Sequence, residues 1–402
     1  MELTTTRRSF LGTAAATFAS TMERHVIEQK TFRTPLCDLL GIEFPVIQAP
    51  MQTIASPKLV ASVCEAGGMG ILAGIGVPPD DLRNRIREVR TLTKRPFGVN
   101  LVLHSALLKP IEPGEIPPET VRGAQTMLNR FRQRLGLPPQ TEPPPRVPDT
   151  LMASFDVIVS QRVPLFSTGL GLPSPEMMSA CRKQDIKVMC MVARTPDAIE
   201  AEKLGATVIA AQGVEAGGHR SLGVKPETPE SAAIGTMALV AQITRAVKVP
   251  VVAAGGISDG RGLAAALMLG AVGVLMGTRF IATTESAAPA FHKKALVDGD
   301  SDQTTLSDAF TGHYARFLRN DYTTQYREAA APVLPPVVQQ LASRDIIEAA
   351  LRQEVSALYP LYAGQGVGMI DTIPSAGQIV RDVIAEARQA LSSVQQRVTL
   401  DR

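Results

Sequence analysis

Pro250-Val251-Val252-Ala253-Ala254-Gly255-Gly256-Ile257 opens a stretch that closes with Val272-Gly273-Val274-Leu275-Met276-Gly277-Thr278, and a helical run over 260–269 lies between. Both apolar runs are continuous rather than alternating, which is the pattern of strands buried on both faces. Each is strand-length, and the helix between them supplies the crossover that parallel strands require. The stretch reads as one β–α–β unit of a parallel sheet, with a glycine-rich turn after each strand.

Working toward the N-terminus, the same beat recurs. Apolar runs stand at 207–210, 186–190, 163–167, 97–102, 70–73 and 46–49. Ser56-Pro57, Ser174-Pro175 and Thr195-Pro196 open helices between them, each with a capping side chain ahead of a first-turn proline. Gly67-Gly68 ends the first of these helices, a charged helix covers 79–92, and another begins near Thr236. Eight strand–helix units predict an α/β protein, a (β/α)8 TIM barrel rather than an open sheet.

The beat fails in two places. Residues 105–150 hold ten of the thirty prolines around one helical piece at 119–135, so this segment is expected to be an insertion lying over a barrel face. Residues 300–362 read as helices (306–309, 322–329, 335–341 and 346–355) and predict a small, mainly helical second domain. The expected layout is an extension over 1–30, the barrel over 31–299 with its insertion, the helical domain over 300–362, and a return to the barrel over 363–402. The return includes a helix at 375–393.

Composition narrows the function. The 402 residues are 45% apolar and 20% charged, which is globular usage. With no Trp, five Tyr and a net charge of +3, the chain lacks both a base-stacking surface and a polyanion footprint, so no nucleic-acid partner is expected. No run of eighteen apolar residues occurs, so no membrane span is expected. Cys37, Cys64, Cys181 and Cys190 form no Cys-x-x-Cys pair and sit in apolar surroundings, which reads as buried thiol rather than metal or redox chemistry. No metal-ligand spacing is present. At the N-terminus, Arg7-Arg8 precedes a short, weakly apolar run, the pattern of a twin-arginine export signal. The chain is therefore expected in the cytoplasm, or in the periplasm if that signal acts; a start at Met22 would remove it.

In a parallel barrel, chemistry sits at the C-terminal strand ends. Gly255-Gly256 follows the seventh strand and Gly277-Thr278 the eighth, and successive backbone amides there predict an anion cradle suited to a phosphate. After the sixth strand runs Gln212-Gly213-Val214-Glu215-Ala216-Gly217-Gly218-His219-Arg220. His219 is the candidate catalytic residue, since imidazole at a strand end can donate to an anion or take a proton near neutral pH. Glu215 and Arg220 are the nearest charges. His25, His104, His292 and His313 receive no role.

These segments together resemble the nitronate monooxygenases, formerly called 2-nitropropane dioxygenases. The resemblance rests on Gln48-Ala49-Pro50-Met51, Pro96-Phe97-Gly98-Val99-Asn100, the 212–220 loop, the turn from Ala254 through Asp259-Gly260-Arg261-Gly262, and Met276-Gly277-Thr278-Arg279-Phe280. Phe310-Thr311-Gly312, Ala315-Arg316, Leu318-Arg319-Asn320 and Ala363-Gly364-Gln365 extend it over about 33–390. The resemblance implies an FMN-binding TIM barrel with a small substrate domain, the helical segment over 300–362. Ala49, Pro50 and Met51 would line the flavin ring, Asn100 and Gln212 would hydrogen-bond it, and Gly217 and Gly218 would pack beside it. Gly255, Gly256, Gly277 and Thr278, with Leu275 and Met276 leading into the turn, would hold the phosphate side. His219 matches the catalytic histidine. Gln52, Ser221 and Leu275 depart from the pattern, where a small residue, Gly and Gln respectively are usual.

The implied activity is oxidation of alkyl nitronates, and of nitroalkanes, by O2 to carbonyl compounds and nitrite, with the nitronate and O2 as its small-molecule partners. Two other readings share the motifs: a flavin-dependent enoyl-thioester reductase using NAD(P)H, and a flavin-binding protein without turnover. Oligomeric state is left open by the sequence.

Overall fold

A computed structural model describes residues 32–108, 113–144, 150–228, 230 and 233–397. The Arg7-Arg8 signal and Met22 lie outside the described residues. From Thr34 onward the chain forms one compact unit.

Eleven strands are described: β1 (Val46–Gln48), β2 (Ile71–Ala73), β3 (Gly98–Val102), β4 (Leu165–Gly169), β5 (Lys187–Val192), β6 (Val208–Gln212), β7 (Gly218–His219), β8 (Val251–Ala254), β9 (Gly273–Met276), β10 (Thr304–Ser307) and β11 (Ala315–Leu318). Eight of them form a parallel sheet in the order β1-β9-β8-β6-β5-β4-β3-β2. The eight expected strands are these eight, and the fold is a TIM barrel. β4 starts two residues later than its apolar run, because Pro164 lacks an N–H for the ladder and contributes only its carbonyl, which accepts from Lys187 at 3.2 Å.

The seam between β1 and β2 closes the barrel. A single bridge joins Ile47 to Met69. Beyond it the side chain of Gln48, with no exposed surface, takes the place of a backbone pair: the Ile71 amide donates to Oε1 at 3.1 Å, and Nε2 donates to the Ile71 carbonyl at 3.3 Å. Inside, Ile47, Ile71, Leu165, Met189, Val208 and Val252 pack with Ala254 and Leu275 over the helix Pro35–Leu40. Each fully buried aliphatic side chain contributes about 1.5–3 kcal/mol. Outside, capped helices cover the strands; Ser56 Oγ accepts the Leu59 amide at 3.1 Å and Ser174 Oγ that of Met177 at 3.3 Å. The last helix, Ala376–Arg397, lies against Gly260–Met268 and Pro57–Glu65 in this outer layer.

A second core differs from expectation in two respects. First, residues 306–309 are not a helix: Thr304–Ser307 pairs antiparallel with β11, because the β-branched threonines favour extension and no helical period spans so few residues. Second, the helix of the proline-rich segment, Pro118–Arg134, is part of this core. Its buried Val121, Ala124, Leu128 and Phe131 pack in one cluster with Phe310, Phe317, Tyr322 and Ile346. Phe131 stacks on Tyr322 at 4.4 Å and Tyr322 on Phe310 at 4.0 Å. Arg132, fully buried, donates to Asp345 at 2.8 Å and to the Ala342 carbonyl at 2.6 Å, so its charge is paired and its donors are used. Residues around 116–135 and 309–358 therefore share one apolar cluster.

Candidate active site

The strand ends meet at one mouth of the barrel, and the glycine turns there pack against one another. Gly255 and Gly256 take φ of +104° and +69°, a left-handed succession closed to most side chains. A Cβ on Gly255 would stand 2.9 Å from the Ala216 amide nitrogen. A Cβ on Gly217 would meet the Gly364 amide nitrogen at 2.6 Å and Thr278 Oγ1 at 3.1 Å. A Cβ on Gly277 would stand 3.6 Å from Ala49 Cβ and 3.9 Å from Met51 Sδ. The structure thus brings Ala49, Met51, Gly217, Gly255, Gly256, Gly277 and Thr278 to one rim, together with Gly364.

Among the described residues, no backbone acceptor outside the helices and strands takes the amide hydrogens of Gly255, Gly256, Gly277 or Thr278. Thr278 Oγ1 accepts from the Gly364 amide at 2.9 Å, which leaves its own hydrogen to donate elsewhere. These donors suit the phosphate of the cofactor that the resemblance implies. Gly218, at φ +75°, has no heavy atom within 4 Å of where a Cβ would stand, so the backbone opens onto free space beside His219. The residues present fit FMN.

Leu275 belongs to the barrel-interior cluster with Ala49 and Ala254, and the Met276 carbonyl accepts the Ala49 amide at 2.9 Å. Asn100 donates to the Ser167 carbonyl at 3.1 Å, on the next strand over. Gln212 is committed to the loop: Nε2 donates to the His219 carbonyl at 2.8 Å and Oε1 accepts the Ser221 amide at 2.7 Å. Gln212 so ties the end of β6 to the histidine it precedes by seven residues. Glu215 accepts from Thr236, at 2.9 Å from its amide and 2.8 Å from its hydroxyl, and Arg220 donates to the Gly213 carbonyl at 2.5 Å. Both charges hold the loop. Ser221, where the family pattern has Gly, accepts the Leu170 amide at 3.1 Å and donates to the Met191 carbonyl at 2.7 Å, binding the ends of β4 and β5.

His219 does not lie on the barrel sheet. Gly218–His219 is a two-residue strand paired antiparallel with β11, with Ala315 opposite His219 and Arg316 opposite Gly218. Buried Arg316 secures the pairing by donating to the Val214 carbonyl at 3.0 Å. His219 Nε2 lies 2.9 Å from Thr311 Oγ1, and its ring centroid is 6.1 Å from that of His313 and 5.9 Å from that of Tyr362. His104 stands beside His313 at 4.9 Å. Burial, then the neighbouring His313 and His104, push the His219 pKa down to about 3. His219 as a residue is half-buried. At neutral pH the imidazole is uncharged.

His104 and His313 thus join the site, although neither receives a role from the sequence. His104 lies two residues beyond β3, a strand-end position, and its Nδ1 accepts the Ala106 amide at 3.0 Å, which puts its hydrogen on Nε2. That Nε2–H is buried and has no partner among the described residues, an orphan donor beside the mouth. His292 donates Nε2–H to the Tyr362 carbonyl at 3.1 Å and so fixes the backbone under the Tyr362 ring. Strand-end position marks His104 in sequence; His313, just before β11, and Tyr362, bridged to Phe317 of β11, reach the site through that strand, His292 reaches it through Tyr362, and none of the three carries a local signal.

Fold and site define an oxidoreductase on a TIM barrel, with a neutral histidine at the mouth beside a backbone-amide cradle. The nitronate monooxygenase family model matches residues 33–386, and the chain belongs to that family. It is 36% identical to the nitronate monooxygenase of Pseudomonas aeruginosa over 360 residues, covering 87% of this chain and 98% of that protein. The nitronate monooxygenase of Paraburkholderia phytofirmans is 31% identical, with 91% and 98% covered. Among solved structures, the nitroalkane oxidase of Streptomyces ansochromogenes superposes with a TM-score of 0.81 at 33% identity, covering 89% of this chain and 99% of that one. FabK of Thermotoga maritima superposes with a TM-score of 0.71 at 30% identity, covering 92% and 100%. No described helix is long and apolar enough to cross a membrane, no metal-binding cluster occurs among the described residues, and all four cysteines are buried free thiols.

Proposed function

We propose that the chain binds FMN noncovalently and oxidises alkyl nitronates, or the nitroalkanes from which they derive, with O2 to carbonyl compounds and nitrite. The observation that carries this reading is His219 at the mouth, following a Gly217-Gly218 turn that packs on Thr278 beside backbone amides without a backbone acceptor among the described residues. No Gly-x-Gly-x-x-Gly turn opens a β–α–β unit here, which favours FMN over a dinucleotide flavin.

Gly255, Gly256, Gly277 and Thr278 would hold the phosphate, and Ala49, Pro50 and Met51 would flank the ring. When bound, FMN supplies the electron-transfer chemistry. The chain's own part is positional and protolytic. A neutral nitroalkane presents an acidic C–H; His219 Nδ1, to which no described residue hydrogen-bonds, takes that proton and leaves a nitronate beside an imidazolium. A nitronate offered as the anion instead draws a proton onto the same nitrogen from solvent. Tyr362 walls the ring from the side.

The test is an absorption spectrum of the purified protein followed by an oxygen-electrode trace with propionate 3-nitronate. Flavin bands, FMN released on heating and O2 uptake are expected. A colourless protein or released FAD overturns the cofactor. No O2 uptake, combined with rapid anaerobic bleaching of the flavin by NADH, replaces this reading with enoyl-thioester reduction.

A further inference from the structure

We propose that Thr311 fixes the tautomer of His219, keeping the imidazole hydrogen on Nε2 and leaving Nδ1 bare to accept a proton. Thr311 Oγ1 has one hydrogen and three neighbours: the His313 carbonyl at 3.0 Å, His219 Nε2 at 2.9 Å and the His313 amide at 3.4 Å. The carbonyl can only accept, so the hydroxyl hydrogen points to it. The oxygen lone pairs then face the His313 amide and His219 Nε2, and Nε2 must be the donor. The reverse arrangement, with the hydroxyl donating to Nε2, sets a carbonyl lone pair against a hydroxyl lone pair at 3.0 Å and leaves the carbonyl without its hydrogen.

The hydroxyl is held in place by its own turn. The Thr311 and Gly312 amides both donate to the Asp308 carbonyl, at 3.1 and 2.7 Å, and Thr311 is buried. A neutral histidine carries one ring hydrogen, so the partner of one nitrogen decides the chemistry of the other. Thr311 is thus a positioning residue. It comes from the segment after β10, whereas the nitrogen it sets free serves the barrel mouth. The catalytic consequence rests on the proton-abstraction reading proposed above; the tautomer does not.

The experiment is a long-range 1H–15N spectrum of the histidine side chains in holoenzyme labelled with 15N-histidine. The chain has five histidines, and the His219 signals are identified by their loss in His219→Asn. In the wild type, His219 is expected as the Nε2-protonated tautomer, unchanged in Thr311→Ser and mixed with the Nδ1-protonated form in Thr311→Val. Alongside, Thr311→Val should lower kcat/KM for a neutral nitroalkane roughly 10- to 100-fold, with Thr311→Ser restoring it. A wild-type His219 protonated on Nδ1 overturns the proposal whether or not the variants fold, as does a folded Thr311→Val with an unaltered tautomer. A wild type with the expected tautomer and no turnover of any nitro compound overturns the functional reading instead.

Discussion

The Gly364 amide donates to the hydroxyl of Thr278 across 2.9 Å, tying the end of β9 to the C-terminal return. This contact uses a lone pair and aims the hydroxyl hydrogen away from Gly364. A hydrogen bond to a charged group contributes about 1.5–3 kcal/mol. Thr278→Val is therefore expected to weaken FMN binding roughly 10- to 150-fold, measured by fluorescence titration of the deflavinated protein. An unchanged Kd would remove Thr278 from the cradle.

His219→Asn keeps a side-chain N–H but cannot take up a proton at neutral pH. Flavin content should be retained, because the amide cradle lies on other strands. On the proposed proton abstraction, kcat/KM for a neutral nitroalkane should fall by roughly 10²-fold or more, and that for its preformed nitronate only modestly. Equal losses on both forms, at full flavin occupancy, would rule out proton abstraction.

Acid should destabilise the fold through histidines buried in the neutral form. Burial lowers the pKa of His292 and of His104 to about 4, with His313 adding to the effect at His104. An unfolded histidine titrates near 6.5, so between about pH 6.5 and 4 the unfolded chain binds more protons than the native one. Stability is full above pH 6.5 and is lost as pH falls through that window. At pH 5 each of these two residues should cost about 2 kcal/mol relative to pH 8. Urea midpoints at the two pH values check this, and His292→Gln should flatten the dependence; an equal slope in the variant would clear His292.

Ser221 bridges the Leu170 amide and the Met191 carbonyl where the family pattern has no side chain. Two such bonds contribute about 1 kcal/mol each. Ser221→Ala should lower the unfolding free energy by about 1–2 kcal/mol, read from the denaturant midpoint, with little change in flavin content. An unmoved midpoint would mean that the serine merely occupies a glycine position.

The barrel was open to reading because its strands are buried on both faces and its helices begin at Ser-Pro and Thr-Pro pairs. Each signal is local. The placement of His219 was not, since a two-residue strand has no periodicity and its partner, β11, lies far along the chain. The same holds for Thr304–Ser307, whose extension depends on pairing with Ala315–Leu318. Gln212 is the instructive case among the candidate residues. A polar side chain at a strand end points to ligand contact, yet its amide is spent on the His219 carbonyl and the Ser221 amide. Sequence marks where a polar group stands and cannot say which neighbour takes it.

Arg132 and Asp345 are 213 residues apart in the chain. On a ribosome adding about 5–20 residues per second, the helix Pro118–Arg134 waits roughly 10 to 40 s for the aromatic and aliphatic side chains that will cover it. During that time its apolar face is uncovered and Arg132 lacks Asp345, while β4, β5, β6, β8 and β9 can already assemble. Nascent chains that stop short of residue 309 should thus be the forms most prone to aggregate and to engage chaperones. His219 gains its strand partner only after β11 has left the exit tunnel, so the loop that carries it is among the last parts of the molecule to take shape.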